Sequence, residues 1–418
     1  MTRELFRRFD NNEYAIETPM DIDFYKFTMG QVIFHNYKDV PVKFAFKNRT
    51  KDVKLGEVID ENELRRELDH MRKLRFEKSD LHYLRGTNEY SERMFKEDYL
   101  QFLGNLQLPP YELEVKDSDI KLEFPGKWSE VTYWETMALS AVNELYYRSL
   151  MKDMTNFEKD RIYATGVQRL AEKVDVLNKR PDITLTEFGT RRRFNRPWQE
   201  YVVVNMKESL SPKQFLGTSN THLAMKHDLL PMGTCAHEMD MAMYGIMNGD
   251  VESSHKKVLE DWWDEYGWGL SIALTDTYGT DFFYKNMTKQ QANDWKGVRH
   301  DSGDPFKFIE KTERFYDMRG IDPKDKLVIF SDGLDMNMIT SLADTSTRFK
   351  KTYGWGTNLT NDLGLKPISL VVKLVESNGY GTVKLSDNIA KAIGRPDDVE
   401  MIKRNIGYDV KEYKETRY

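Results

Sequence analysis

The chain has 418 residues, 39% hydrophobic and 31% charged, with a formal net charge of −6. It is too apolar for a disordered protein and too acidic overall for a dedicated nucleic-acid binder. A single cysteine leaves no intramolecular disulfide framework and fits a reducing compartment.

No apolar run reaches membrane-spanning length, and the start, MTRELFRRFDNNEY, lacks the apolar core of a secretory signal. The expectation is a cytoplasmic protein, or a nuclear one in a eukaryote, with neither nucleic acid nor membrane as partner. The length points to two or so domains.

In chain order, PVKFAFKNR alternates like a strand, NELRRELDHMRKL is a charged helix, and YELEVKDSDIKLEFPG reads as two strands around a turn. SEVTYWETMALSAVNELYYRSLMKD has helical apolar spacing and an acidic start, which predicts a long amphipathic helix. From about Asp182 a β/α rhythm begins: ITLTEFGT, QFLGTSN, MGTCAHE, LSIALTDTYG, WKGVRHDSGD, KLVIFSDG and KKTYGWGT. About seven or eight such units, polar at their C-terminal ends, predict a closed β/α barrel whose strand ends converge on one mouth. A doubly wound open sheet is the alternative. The stretch PISLVVKLVESNGYGTVKLSDNIAKAIG returns to strand-like alternation. The predicted architecture is an α/β protein. Its irregular β/α barrel spans 181–365, and its discontinuous α+β N-terminal domain spans 1–180 and is completed by 366–418.

Chemistry-bearing residues gather at the ends of the β-like runs. His237 is followed four residues later by Met241, so the two-histidine zinc helix is excluded. A buried, satisfied histidine is one reading; a general base or a nucleophile in the barrel mouth is the other. In VRHDSGDP, Asp301 and Asp304 bracket Ser302 and Gly303 beside Arg299. That segment is either an ordinary turn or a site for Mg²⁺, a sugar hydroxyl and an anion. FSDGLD and YGWGTNLTND place glycines and hydroxyls where barrels keep phosphate groups, whereas the Walker and dinucleotide fingerprints are absent. TEFGTRRRFNRPW carries Phe188, Arg191, Arg192, Arg193 and Arg196, read as a solvated basic helix start or as an anion site. Asp23, Tyr25 and Lys26 in DFYKFTMG read as helix packing. From the residues alone, the chain is a barrel enzyme acting on a phosphorylated small molecule.

Taken together and in order, DFYKFTMGQ, TEFGTRRRF, FLGTSNTHLAMKHDLLPMGTCAHE, LTDTYGTD, VRHDSGDP, FSDGLD, GWGTNLTND and VVKLVE resemble the nicotinate phosphoribosyltransferases, nearly end to end. The resemblance implies a β/α barrel with an N-terminal domain, assembled as a homodimer with composite sites. It implies that nicotinate and 5-phosphoribosyl 1-pyrophosphate give nicotinate mononucleotide and pyrophosphate, coupled to ATP hydrolysis, in NAD salvage. By the same resemblance His237 accepts the phosphate of ATP, and Asp276 and Asp301 position the ribose and Mg²⁺. Phe188 and a Tyr25 from the partner subunit would sandwich the pyridine, worth ~0.5–1.5 kcal/mol per pair beyond burial. Arg299 would hold the carboxylate, and Arg191 the ribose phosphate or diphosphate. Ser331, Asp332, Gly333, Gly354, Gly356 and Thr357 would cradle the 5-phosphate, with Arg49, Lys373 and Lys384 supplying cations across the dimer.

Relatives that use nicotinamide carry an aspartate where this chain has Ser219, and a carboxylate there would repel nicotinate. A neutral Ser219 therefore favours the acid. The rivals are a nicotinamide-using enzyme of the same architecture and a silent barrel that only binds a nucleotide metabolite. Many relatives place tryptophan after the His-Glu pair; Met239 here reads as a packing difference, and Glu238 and Cys235 as neighbours.

Overall fold

Strand β1 (Pro41–Asn48) buries Val42, Phe44 and Phe46 and leaves the residues between them wetter, the period-two pattern its sequence predicts. The computed structural model describes residues 14–414, and most of the N-terminal segment read for a secretory signal lies outside them. Ahead of β1 runs helix α1 (Tyr25–Tyr37), and after it comes the charged helix α2 (Glu61–Lys73), capped by Asp60 accepting from Glu63 N. Strands β2 (Glu112–Lys116) and β3 (Asp119–Lys127) meet at Asp117 and Ser118, both at positive φ, the two-residue turn whose twist suits a hairpin.

Helix α3 (Trp134–Met151) departs from the amphipathic expectation, because every residue from Trp134 to Tyr147 is buried. It lies between the N-terminal sheet and the barrel, so its polar residues bond protein instead of water. Ser140 Oγ donates to Thr190 O at 2.8 Å, and Asn143 Nδ2 to Arg193 O at 2.6 Å. Helix α4 (Asn156–Asn178) then leads into the barrel, opened by the capping box of Thr155 and Glu158.

The barrel strands are β4 (Leu185–Glu187), β5 (Phe215–Thr218), β6 (Leu230–Pro231), β7 (Ile272–Leu274), β8 (Gly297–His300), β9 (Leu327–Phe330) and β10 (Lys350–Trp355). They form one parallel sheet in the order β6-β5-β4-β10-β9-β8-β7. The expected closed ring is not reached: among the described residues no ladder joins β6 to β7. Strand β6 has only two residues, and Pro231 has no N–H to give. The run MGTCAHE is accordingly a loop up to His237, and helices α5 (Arg196–Ser209), α6 (Glu238–Ile246) and α7 (Val251–Tyr266) pack around this irregular half-barrel. Helices α8 (Pro305–Met318) and α9 (Met336–Asp344) follow β8 and β9.

Strand β11 (Leu370–Ser377) leaves the barrel and pairs antiparallel with β1, then turns through Asn378 and Gly379 into β12 (Tyr380–Gly381). The second sheet is therefore antiparallel, in the order β12-β11-β1-β3-β2. Among the described residues no helix is long and apolar enough to cross a membrane.

Candidate active site

The C-terminal ends of the barrel strands open, as such strands do, on a shared mouth. There a cavity of ≈ 260 Å³ is walled by the barrel loops on one side and by β11 and Arg49, just past β1, on the other. Of the site residues that the resemblance names, all line this cavity except Asp276, which is 1% exposed.

His237 does not end a strand. It occupies the N-cap position of α6, buried at 4% exposure, after the loop from β6. Its Nδ1 is 2.9 Å from Thr277 Oγ1, and Thr277 Oγ1 donates in turn to Asp240 Oδ2 at 3.0 Å. With its one hydrogen spent on Asp240, the hydroxyl accepts from Nδ1–H, which leaves the lone pair on Nε2. Nε2 faces Asp301 Oδ2 at 3.0 Å and Asp276 Oδ1 at 3.5 Å. Burial and the nearby Lys384 ammonium hold the imidazole below its ordinary pKa, against the pull of the two carboxylates.

Asp276 is buried, yet His237, Lys384 and a hydrogen bond from Ser302 at 2.5 Å keep its carboxyl below the usual range. Asp301 is held well below that range, against burial, by His237, Arg299 and Lys384. Burial pulls Lys384 down to about 8. Donor atoms of His237, Asp276 and Asp301 lie within 4.8 Å of one another, and Asp276 Oδ1 is buried without a hydrogen-bond partner. A lone pair facing two carboxylates is relieved by a proton or a cation between them, and paired carboxylates suit a hard cation such as Mg²⁺. Asp304 plays no part in this: it caps α8, accepting from Phe306 N.

Tyr25 and Phe188 line the same cavity of the same chain. The loop at Gly233 passes so close to Tyr25 that a Cβ there would lie 2.6 Å from Tyr25 N. Arg49, Lys373 and Lys384 also line the cavity, Arg49 from just past β1, Lys373 from β11 and Lys384 from the chain after β12. Gly354 is required by close approach, since a Cβ would meet the Phe188 ring at 2.4 Å. Ser219 Oγ donates to Asp23 Oδ1 at 2.6 Å, so a carboxylate is present beside Ser219 after all. Arg191 balances it, with Nε 3.0 Å from Asp23 Oδ2 and its guanidinium 5.4 Å from the Tyr25 ring centre.

Arg192 also lines the cavity, but the solvated reading fails for Arg193, which is fully buried against Asp21, Nη1 to Oδ1 at 2.6 Å. Arg196 pairs with Glu17. After β9, Ser331 Oγ donates to Asp301 Oδ1 at 3.0 Å, and Gly333 holds φ at 58°.

Sequence reasoning missed Lys391, which donates to Asp301 O at 3.0 Å and to Asp332. It also missed Glu135, left Lys26 as helix packing and took Glu238 only as a neighbour of His237. Lys26 is fully buried between Glu135 at 2.7 Å and Glu238 at 2.5 Å, and Glu238 also accepts from Trp128 Nε1 and Thr132 Oγ1. A charged residue amid apolar neighbours in each of α1, α3 and α6 was the available signal, since a buried charge demands a partner. Cys235 lines the cavity with its thiol pushed up by burial, and Met239 is core, 1% exposed.

The N-terminal domain model of the nicotinate phosphoribosyltransferase (NAPRTase) family matches residues 20–143, and that family's main model matches residues 183–410. A nicotinate phosphoribosyltransferase structure from Vibrio cholerae is 32% identical, with TM-score 0.84 over 96% of each chain. That from Porphyromonas gingivalis is 30% identical, with TM-score 0.81 over 94% of this chain and 100% of that one. A putative nicotinate phosphoribosyltransferase from Saccharomyces cerevisiae is 28% identical, with TM-score 0.82 over 95% and 100%. With both family regions matched and the whole architecture shared, this chain belongs to the nicotinate phosphoribosyltransferase family.

Proposed function

We propose that the chain transfers the phosphoribosyl group of 5-phosphoribosyl 1-pyrophosphate to nicotinate, giving nicotinate mononucleotide and pyrophosphate in NAD salvage, coupled to ATP hydrolysis through a phosphohistidine. One observation carries the reading: a single cavity joins the His237–Asp301 pair, two aromatic rings and a wall of cations. The pyridine nitrogen attacks the anomeric carbon while the carbon–oxygen bond to the diphosphate breaks, and pyrophosphate leaves with the electron pair. Asp276 and Asp301 stabilise the positive charge that grows at that carbon. They would also hold Mg²⁺, which when bound neutralises the diphosphate. Lys373, Lys384 and Arg49 receive the anionic groups. In the coupling step the Nε2 lone pair of His237 attacks the terminal phosphorus of ATP and ADP departs; water later splits the phosphorus–nitrogen bond to free phosphate and imidazole.

A nicotinamide-using reading draws on Asp23, whose carboxylate could accept from an amide. Arg191 at 3.0 Å offsets that charge and Arg299 adds a second cation in the cavity, so the pocket favours the acid. The test is a product assay with 5-phosphoribosyl 1-pyrophosphate and either pyridine, with and without ATP. Nicotinate mononucleotide formed faster with ATP is the expected result. Preference for the amide overturns the substrate, and no nucleotide from either pyridine leaves only a binding barrel.

A further inference from the structure

We propose that Asn388 and the segment 409–414 position Lys391 for the diphosphate of the phosphorylated substrate, an inference that rests on the function proposed above. Lys391 closes the phosphate side of the cavity through its contacts with Asp301 O and Asp332. It ends a single 3₁₀ turn, Ile389–Lys391. So short a turn has no ladder of its own to hold it, and its placement comes from what it touches.

Those contacts are specific. The Asn388 side chain is 5% exposed; its Oδ1 accepts from Ala390 N and from Lys414 N, both at 3.1 Å. Its Nδ2 donates to Lys414 O at 2.8 Å, and Ile389 N donates to Glu412 O at 3.0 Å. From the antiparallel sheet, Arg49 donates to Lys391 O at 3.3 Å. The 409–414 segment is mostly exposed and meets the turn through backbone groups, so it clasps the turn without filling a core. Without the clasp the turn keeps Arg49 on one side, the Lys384–Ile393 backbone pair after it and Asp387's bond to Ser302 before it, but loses its anchors at Asn388 and Ile389. The ammonium then moves from where the diphosphate's charge lies, and its attraction falls with distance. Such a loss affects binding of the diphosphate and not the bond-breaking step, which belongs to other residues.

The experiment truncates the chain after Tyr408 and, separately, makes Asn388→Ala. KM, kcat and the directly measured Kd for 5-phosphoribosyl 1-pyrophosphate are read in each. Both variants should raise KM and Kd about tenfold, equivalent to ~1.4 kcal/mol, with kcat nearly unchanged. Lys391→Met should reproduce the loss in binding, and adding the truncation to it should cost nothing more. Lys411→Ala and Lys414→Ala keep the backbone clasp and should bind normally. An unchanged KM after truncation overturns the proposal, as does a Lys414→Ala variant that matches the truncation, because the effect is then one of charge. If the unaltered chain fails to bind the diphosphate at all, the proposed function falls and this inference with it.

Discussion

His237 Nε2 lies 3.0 Å from Asp301 Oδ2, so the one nitrogen of the imidazole with a free lone pair is aimed at a carboxylate in the barrel mouth. Thr277 and Asp240 fix the ring from behind. His237→Ala should abolish acid-labile labelling of the protein by Mg-ATP and remove the effect of ATP on product formation. Asp301→Asn, which leaves the ring but not its charged partner, should lower kcat by roughly 10²–10³-fold, the range for removing one preorganised electrostatic group. Label that survives in His237→Ala places the nucleophile elsewhere.

Ser219→Asp sets a second carboxylate next to Asp23, which already takes the serine hydroxyl at 2.6 Å. Like charges in such proximity cost several kcal/mol, and Arg191 can balance only one of them. The KM for nicotinate should rise at least about tenfold while that for nicotinamide changes less. Equal KM values before and after the substitution would refute this electrostatic account.

Lys26 sits at 0% exposure between two carboxylates, and removing the cation strands both. Lys26→Met should lower unfolding stability by roughly 3–5 kcal/mol in a denaturant titration. The paired variant Lys26→Met with Glu238→Gln should recover much of that, since Glu135 keeps Lys373 and Arg191 nearby. A stable single variant would show that apolar packing alone holds α1 to α6.

Glu187 is wholly buried at the end of β4, where Thr218 donates at 2.5 Å, and burial lifts its carboxyl from 4.5 to about 7. Because the folded value is the higher one, the native state binds the extra proton between those limits. Its contribution is fully present below about pH 4.5 and is lost as pH rises through about 7. The stability difference between the unaltered chain and Glu187→Gln should therefore shift by roughly 3 kcal/mol across that window and be flat above it. A difference independent of pH from 5 to 8 would remove Glu187 as its source.

Much of this was legible in the chain because short-range physics governs it. The alternation of Val42, Phe44 and Phe46, the Asp117–Ser118 turn and the polar strand ends of the half-barrel are all local patterns, set by which residues face water or tolerate positive φ. The ordered motifs likewise named the cavity-lining residues from Tyr25 to Lys384. Local pattern could not show that α3 is buried on all sides, since that follows from the two layers enclosing it.

Tertiary structure alone decided who pairs with whom. Asp23 beside Ser219, Lys26 between Glu135 and Glu238, and Lys391 over Asp332 join residues tens to hundreds of positions apart, and no periodicity encodes such meetings. It also brought Tyr25 to the cavity wall, because the loop at Gly233 folds against α1. Residue types declared the chemistry, while burial and distance determined which charges were already matched and which face the cavity.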